Sequence, residues 1–237
     1  NDTIAALATA PGRAGLAVVR VSGPLTKQIA KKTLGYTPKH MAAKYSPFKA
    51  PKGEIVDSGI ALFFNSPRSY TGEDVLELTC HGGQAIVDHL LEVLFQYGAR
   101  IAEQGEFTKR AFLNDKLDLI QAEAVVDLIE STSRATVKAA QRSLDGVFSQ
   151  ELCLLSNQLT ELRAEVEASL DFPEEDLTET KHKKSLEKKL ETIQLRFKQL
   201  LASTEKACRV REGITVVLTG RPNVGKSSLL NTLCGHE

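Results

Sequence analysis

The sequence predicts three consecutive zones: an α+β domain, an α-helical segment, and the first strand, loop and helix of an α/β domain. Glycine and proline mark the boundaries. Residues 1–105 hold eleven of the 16 glycines and six of the 8 prolines, whereas residues 106–212 hold one of each. Because these residues form turns and interrupt helices, the first zone is rich in loops and the second is helical. We place the domains at residues 1–117, 118–212 and 213–237.

The first zone combines strand patterns with one clear helix. The segments GLAVVRVSG and SGIALFF predict strands, and DVLELTC has the alternation of apolar and polar residues that is typical of a strand. In GGQAIVDHLLEVLFQYGA the apolar residues recur at helical spacing, and Gly98 supplies a stop signal. This mixture is typical of an α+β or mixed α/β domain. The apolar helix positions are Ile86, Leu90, Val93 and Leu94.

Two apolar stripes dominate the second zone. Apolar side chains step by three or four residues from Leu144 to Leu170, which predicts one long helix interrupted at Pro173. A second stripe from Leu186 to Leu200 predicts another helix. Stripes of this kind are most simply the core of a helical bundle, rather than a groove for a cofactor.

The composition restricts where the chain can meet a polyanion. Thirty basic and thirty acidic side chains cancel, so there is no bulk attraction to nucleic acid or to an anionic membrane, and any contact with RNA must be local. No apolar run is long enough to span a bilayer, and four scattered cysteines fit a reducing cytoplasm. The only methionine is Met41, so we expect a piece of a longer protein.

The third zone carries a phosphate-binding motif. The β-branched run ITVVLTG precedes Gly220-x4-Gly225-Lys226-Ser227, and SSLLNTL follows as an amphipathic helix. In this strand–loop–helix context glycines allow backbone N–H groups to face phosphates. Lys226 can reach the β- and γ-phosphates and the Ser227 hydroxyl can ligate Mg²⁺. The alternative is a glycine-rich turn without nucleotide, and the motif itself does not separate GTP from ATP.

Three charged residues of the first zone are less distinctive. Arg20 lies between two valines, Glu77 lies between two leucines, and Lys116 lies in FLNDKLDL. From the residues alone, a charge inside a strand most often marks a solvent-facing side or a guarded sheet edge.

Four longer segments carry resemblances to known families. GRPNVGKSSLLN resembles the loop of small bacterial GTPases of translation and ribosome assembly. TAPGRAGLAVVRVSG, SYTGEDVLELTCHGG and GEFTKRAFLNDKLDLIQAEAVVDLI resemble the MnmE (TrmE) family of tRNA modification GTPases more specifically, and this similarity runs along the whole chain. The resemblance implies an N-terminal domain that binds tetrahydrofolate and dimerises, then a helical domain into which the GTPase domain is inserted. It places the contacts of a 5-formyl- or methylene-tetrahydrofolate on Arg20, Glu77 and Lys116.

The same resemblance extends to the phosphate loop. It implies that GTP or GDP contacts the run from Asn223 to Ser228, that Ser227 binds Mg²⁺ and that Asn223 helps to hold K⁺; a plain turn residue is the alternative for Asn223. The remaining GTPase machinery would lie downstream of this chain. We therefore expect no catalytic residue within it, and little GTP hydrolysis. The nucleotide-binding positions are Asn223, Val224, Gly225, Lys226, Ser227 and Ser228.

The family also implies partners. A homodimer would join the FAD-dependent MnmG protein in a heterotetramer, in the cytoplasm and away from membranes. Together they would install a carboxymethylaminomethyl or aminomethyl group on carbon 5 of the wobble uridine of certain tRNAs. An alternative is a GTPase switch in ribosome assembly whose N-terminal domain docks partners. Another is an aminomethyltransferase-like folate enzyme with an incidental phosphate loop.

Overall fold

The computed structural model describes residues 2–171, 179–212, 217–221 and 224–234. The chain divides into two compact units, Asn1–Val125 and Val126–Glu237. The division into domains at residues 117 and 212 stays a prediction.

The described part of the first unit contains a six-stranded sheet. Its strand order is β3-β4-β5-β2-β1-β6, and all neighbours are antiparallel except β1 and β6. The three predicted strands are confirmed as β2, β4 and β5. Strands β1 and β6 were not predicted because they span only four and two residues. Strand β3 was not predicted because it contains Pro47, which is tolerated since β3 is an edge strand. The strands are β1 (Ile4–Leu7), β2 (Ala14–Ser22), β3 (Lys44–Lys49), β4 (Ile55–Phe64), β5 (Val75–Gly82) and β6 (Arg100–Ile101).

Helices α1 (Thr26–Leu34) and α2 (Gln84–Gln96) cover one face of this sheet. Buried leucines and isoleucines of both helices pack against alternate strand residues, such as Val19 and Leu76. Burial of each such side chain contributes roughly 1.5–3 kcal/mol. The predicted helix is confirmed as α2, which ends before Gly98, where φ is 108°. Two further helices follow, α3 (Glu106–Leu113) and α4 (Leu119–Glu130).

The second unit is helical, and it corrects the prediction of one stripe starting at Leu144. That residue ends α5, and Gly146 (φ 78°) separates it from α6. The stripe is only partly a core: Leu155 and Leu162 are buried, whereas Leu159 and Leu170 are 54% and 74% exposed. The described parts of α5 and α7 therefore cover only some positions of the stripe on α6. The helices are α5 (Arg134–Leu144), α6 (Val147–Asp171), α7 (Glu179–Glu212) and α8 (Lys226–Cys234).

Two further predictions concern the second unit. The helix predicted from the second stripe is confirmed as part of α7, but its stripe is not a buried core, since Leu190 and Phe197 are 42% and 50% exposed. Pro173 lies outside the described residues. The strand predicted before the phosphate loop is not observed in its described part, residues 217–220. A strand is defined by pairing with another strand, and no strand of the described residues pairs with this segment. In the same described ranges, no helix has the length and apolar character that a bilayer crossing requires.

Candidate functional site

Arg20 and Glu77 form an ion pair at the centre of the sheet. They lie directly opposite each other on β2 and β5, and Arg20 Nε donates to Glu77 Oε1 at 2.8 Å. Their neighbours along each strand are fully buried against α1 and α2. Because side chains alternate along a strand, the pair lies on the opposite face of the sheet. The two side chains are 25% and 22% exposed, so the pair is neither at an edge nor fully solvated.

Two aromatic rings flank the guanidinium of Arg20. Its central carbon lies 5.4 Å from the centroid of the Tyr70 ring and 5.5 Å from that of Phe107, within the range of cation–π attraction. A 2.8 Å hydrogen bond between Tyr70 Oη and Thr108 Oγ1 joins the β4–β5 loop to α3. The result is a partly shielded site with a fixed carboxylate, a cation and aromatic surfaces, which suits a planar polar ligand.

Lys116 lies against the loop that carries Tyr70. It follows α3, and its side chain lies over Gly72, two residues along the chain from Tyr70. A Cβ added at Gly72 would lie 3.2 Å from Lys116 Cγ. The exposed lysine lines a cavity of about 510 Å³ together with Phe112, Leu113 and Gln121. Arg20 and Glu77 are not among the residues lining that cavity. The structure therefore brings Arg20 and Glu77 into contact, whereas Lys116 adjoins the same loop.

A network of charged side chains holds that loop in place. Arg110, on α3, contacts Glu73 Oε2 and Glu106 Oε1, each at 3.0 Å. Arg100 also contacts Glu106 Oε1, at 2.6 Å, and Ser22 Oγ donates to Glu73 Oε2 at 2.7 Å. The hydrogen bond from Arg100 lowers the pKa of Glu106 from 4.5 to about 2. Glu73 lies in the motif SYTGED, so the network fixes the loop that carries Tyr70.

A second pair of titratable residues lies at the far end of β5. His81 Nδ1 lies 2.9 Å from Asp57 Oδ1, and the backbone N–H of His81 donates to Asp57 Oδ2 at 2.8 Å. Burial opposes ionisation of this carboxyl, but the hydrogen bonds from His81 outweigh it and lower the pKa of Asp57. The imidazole is exposed. Asp57 thus fixes the orientation of the ring.

In the described part of the phosphate loop, the lysine side chain contacts backbone carbonyl oxygens at the start of the loop. Lys226 begins α8, and its Nζ donates to the carbonyl oxygens of Gly220 (3.1 Å) and Arg221 (2.7 Å). Gly225 has a φ of 90°, which favours glycine. Ser227 and Ser228 lie exposed in the first turn of α8. Val224 is also exposed, and Asn223 lies outside the described residues.

Sequence reasoning missed the aromatic neighbours of Arg20 and the Asp57–His81 pair. Tyr70 and Phe107 both lie in segments that the family resemblance singled out, SYTGEDVLELTCHGG and GEFTKRAFL. Their presence there was the available signal. The sequence could not show that both rings lie over Arg20, because Tyr70 and Phe107 are 50 and 87 residues away from it along the chain.

An α+β unit with a central ion pair and a helical unit with a phosphate-loop motif define the class of the chain, a protein with a phosphate-loop motif and an additional α+β domain. Comparison with known families narrows this class. Residues 3–116 match the family described as GTP-binding protein TrmE N-terminus, and residues 119–231 match the MnmE helical domain. The chain belongs to the MnmE (TrmE) family and covers the N-terminal and helical regions that these descriptions name.

Individual relatives agree along the whole chain. It is 52% identical to the tRNA modification GTPase MnmE of Hydrogenovibrio crunogenus and 52% identical to that of Marinobacter nauticus. It is 50% identical to that of Pseudomonas syringae pv. tomato. Each alignment covers 100% of this chain and 52% of the relative. The chain therefore spans about half the length of the curated relatives it matches.

Proposed function

We propose that this chain acts, within a longer protein, in a folate- and GTP-dependent modification of tRNA. With the FAD-dependent partner MnmG it would install a carboxymethylaminomethyl or aminomethyl group on carbon 5 of the wobble uridine, in the cytoplasm. The observation that carries the folate part is the Arg20–Glu77 pair, in which the Arg20 guanidinium lies against two aromatic rings. The tRNA and GTP parts are supported by the names of the relatives and by the phosphate loop.

The chemistry of the first site fits a tetrahydrofolate derivative. A pterin presents a ring N–H beside an exocyclic amine, and a carboxylate accepts both. Arg20 engages Oε1 of Glu77, and Oε2 has no hydrogen-bond partner in the described ranges. Arg20 thus orients the carboxylate, and Tyr70 and Phe107 supply apolar faces for a planar ring. Lys116 suits the anionic glutamate tail. Bound folate would supply the one-carbon unit.

The second site fits the phosphates of GTP or GDP. The ammonium of Lys226 already lies across the loop, where it can exchange backbone carbonyls for phosphate oxygens. Ser227 would hold Mg²⁺, and Val224, Gly225 and Ser228 would offer backbone N–H groups at the helix start. Asn223 would contribute to K⁺ binding, and such a cation offsets charge in phosphoryl transfer.

Glu77→Gln should weaken folate binding by one to two orders of magnitude. The amide keeps the size of the side chain but places a donor against the donors of the pterin, and it removes the charge that Arg20 orients. Hydrogen bonds to a charged group contribute about 1.5–3 kcal/mol, which corresponds to that range of affinity. Calorimetric titration with 5-formyltetrahydrofolate measures the effect.

Glu54→Gln is the matched control for this titration. Glu54 is exposed, and its side chain makes no hydrogen bond or ion pair in the described ranges, so affinity should stay within twofold of wild type. Unchanged affinity in a folded Glu77→Gln protein would contradict the folate assignment. No folate binding by the wild type would favour the ribosome-assembly alternative.

We also propose that the first unit forms the homodimer through the sheet face opposite α1 and α2. This face continues from the Arg20–Glu77 pair across β5 and β4 to β3. It carries Ile60 and Tyr45, 43% and 70% exposed, beside half-buried Val18 and Leu62. An apolar face of this kind on a sheet is characteristic of a protein–protein interface.

Sedimentation of the chain at micromolar concentration should show a dimer that Ile60→Glu dissociates. The reason is that a carboxylate in the centre of an apolar interface loses its hydration without gaining a partner. Ile129→Glu is the control, because Ile129 is 79% exposed on α4 and lies outside the sheet. A monomeric wild type, or a dimer that survives Ile60→Glu, would count against the interface.

A further inference from the structure

A groove lined by three cations lies along α5. Arg134, Lys138 and Arg142 are spaced by four residues, which places them on one helix face about 6 Å apart along the axis. They border a cavity of about 530 Å³, together with the hydroxyl-bearing Thr132 and Ser133. No carboxylate lines it. We call this feature the α5 groove.

The three cations of the α5 groove differ from two other cations of this unit, which have carboxylate partners. Arg163 pairs with Glu167, and Lys189 pairs with Glu165. In contrast, Arg134, Lys138 and Arg142 are exposed and form no ion pair within the described part of the chain. Their positive charge is therefore available to an external anion.

The placement of the first of these charges does not favour the stability of α5, whereas Arg142, in the last turn, lies where a cation is favourable. Arg134 is the first residue of the helix, and the first turn contains no acidic residue. A cation there opposes the helix dipole, and like charges four residues apart repel each other, each effect amounting to a few tenths of a kcal/mol. Residues that conflict with local stability are expected mainly at functional positions.

We propose that the α5 groove binds the phosphate backbone of the RNA substrate. This inference rests on the proposed function, in which the substrate is a tRNA. Arginine, lysine and hydroxyl side chains are the usual phosphate contacts of nucleic-acid-binding proteins. The groove offers Val137 as its apolar side chain, whereas a protein interface has aromatic and apolar anchors at its centre. Since the chain has no net charge, binding depends on such a local patch.

Fluorescence anisotropy with a labelled, unmodified tRNA transcript tests the α5 groove. The triple variant Arg134→Gln, Lys138→Gln, Arg142→Gln of the 237-residue chain should bind at least about tenfold more weakly at 0.1 M salt. For this variant, the slope of log K against log salt concentration should be less steep by about 2–3, because each lost phosphate contact removes about one released counterion.

A second triple variant separates the α5 groove from general charge. Lys31→Gln, Lys39→Gln, Lys52→Gln removes the same charge from exposed positions of the first unit, and its affinity should stay within twofold of wild type. Equal losses in both triple variants, no loss in the α5 variant, or no tRNA binding by the wild type would each overturn the inference. So would competition by polyglutamate as effective as that by unlabelled tRNA, since the groove would then serve an acidic protein.

Two further measurements serve as controls for the test of the α5 groove. The melting temperature of Arg134→Gln should equal or exceed that of the wild type, because the substitution removes a cation from the positive end of the helix. A large decrease would assign Arg134 a structural role and contradict the inference. The titration with 5-formyltetrahydrofolate does not depend on the α5 groove. Absence of folate binding would therefore contradict the proposed function, whereas unchanged tRNA binding by the α5 variant would contradict the role of the groove.

Discussion

Gly59→Ala should destabilise the first unit by about 3 kcal/mol or more. Gly59 lies within β4, and a Cβ built on it would lie 1.8 Å from the carbonyl oxygen of Thr79 on β5 and 3.3 Å from Phe48 Cζ. The first contact involves backbone, which cannot rotate away. The two strands must therefore separate, which breaks ladder hydrogen bonds at the centre of the sheet, and overpacking effects of this size are at the upper end of those observed.

Urea unfolding followed by tyrosine fluorescence measures this change in the first unit. The chain has no tryptophan, and all four tyrosines lie between residues 36 and 97. Gly15→Ala is the matched control, because no atom lies within 4 Å of the added Cβ on β2. Its unfolding midpoint should stay close to that of the wild type. Similar midpoints for the two variants would show that β4 and β5 do not approach as closely as described.

Arg110→Met should lower the free energy of unfolding by about 3–5 kcal/mol, since breaking a buried ion pair leaves Glu73 without a cation, whereas Glu106 keeps Arg100. Arg110 is 11% exposed and lies between Glu73 and Glu106, which are 15% and 7% exposed. Ser22 alone would then contact Glu73 Oε2. The control is Arg163→Met, whose pair with Glu167 is 75% and 60% exposed. Pairs of that kind contribute about 0–1 kcal/mol.

The same network makes the stability of the first unit dependent on pH. The pKa of Glu106 is lowered from 4.5 to about 2, so its contribution is present above pH 4.5 and is lost as the pH falls towards 2. The loss amounts to at most about 3 kcal/mol. Urea midpoints at pH 7, 4 and 3 should decrease in this order, and less steeply in Arg110→Met, where the two hydrogen bonds from Arg110 to Glu106 are absent. Parallel pH profiles for the two proteins would argue against the network.

Disruption of the network is also expected to affect the proposed folate site. Glu73 and Tyr70 lie in the same loop, and Tyr70 covers Arg20. The network residues do not contact the Arg20–Glu77 pair themselves in the described structure. They position the loop, and they were not singled out from the sequence because Glu73 is 37 residues from Arg110 and 51 residues from Ser22.

The elements predicted well are those with a strong local pattern. Strands β2, β4 and β5 have β-branched runs or alternation, and α2 has helical periodicity with a glycine after its end. Short elements such as β6 (Arg100–Ile101) carry no pattern that a sequence can show. The stripe that begins at Leu144 was assigned to one helix because its spacing continues through Gly146, where the backbone in fact leaves the helix.

The sequence by itself determined the phosphate loop and the family. Both depend on contiguous residues, since a phosphate-loop motif is defined by its own backbone and adjacent side chains, here from Gly220 to Ser227. Only the tertiary structure decided that Arg20 meets Glu77, that Tyr70 and Phe107 lie against Arg20, and that Lys116 lies over Gly72. Strand register and loop position arise from packing between distant segments, where the alternation along one strand indicates a face but not the residue opposite.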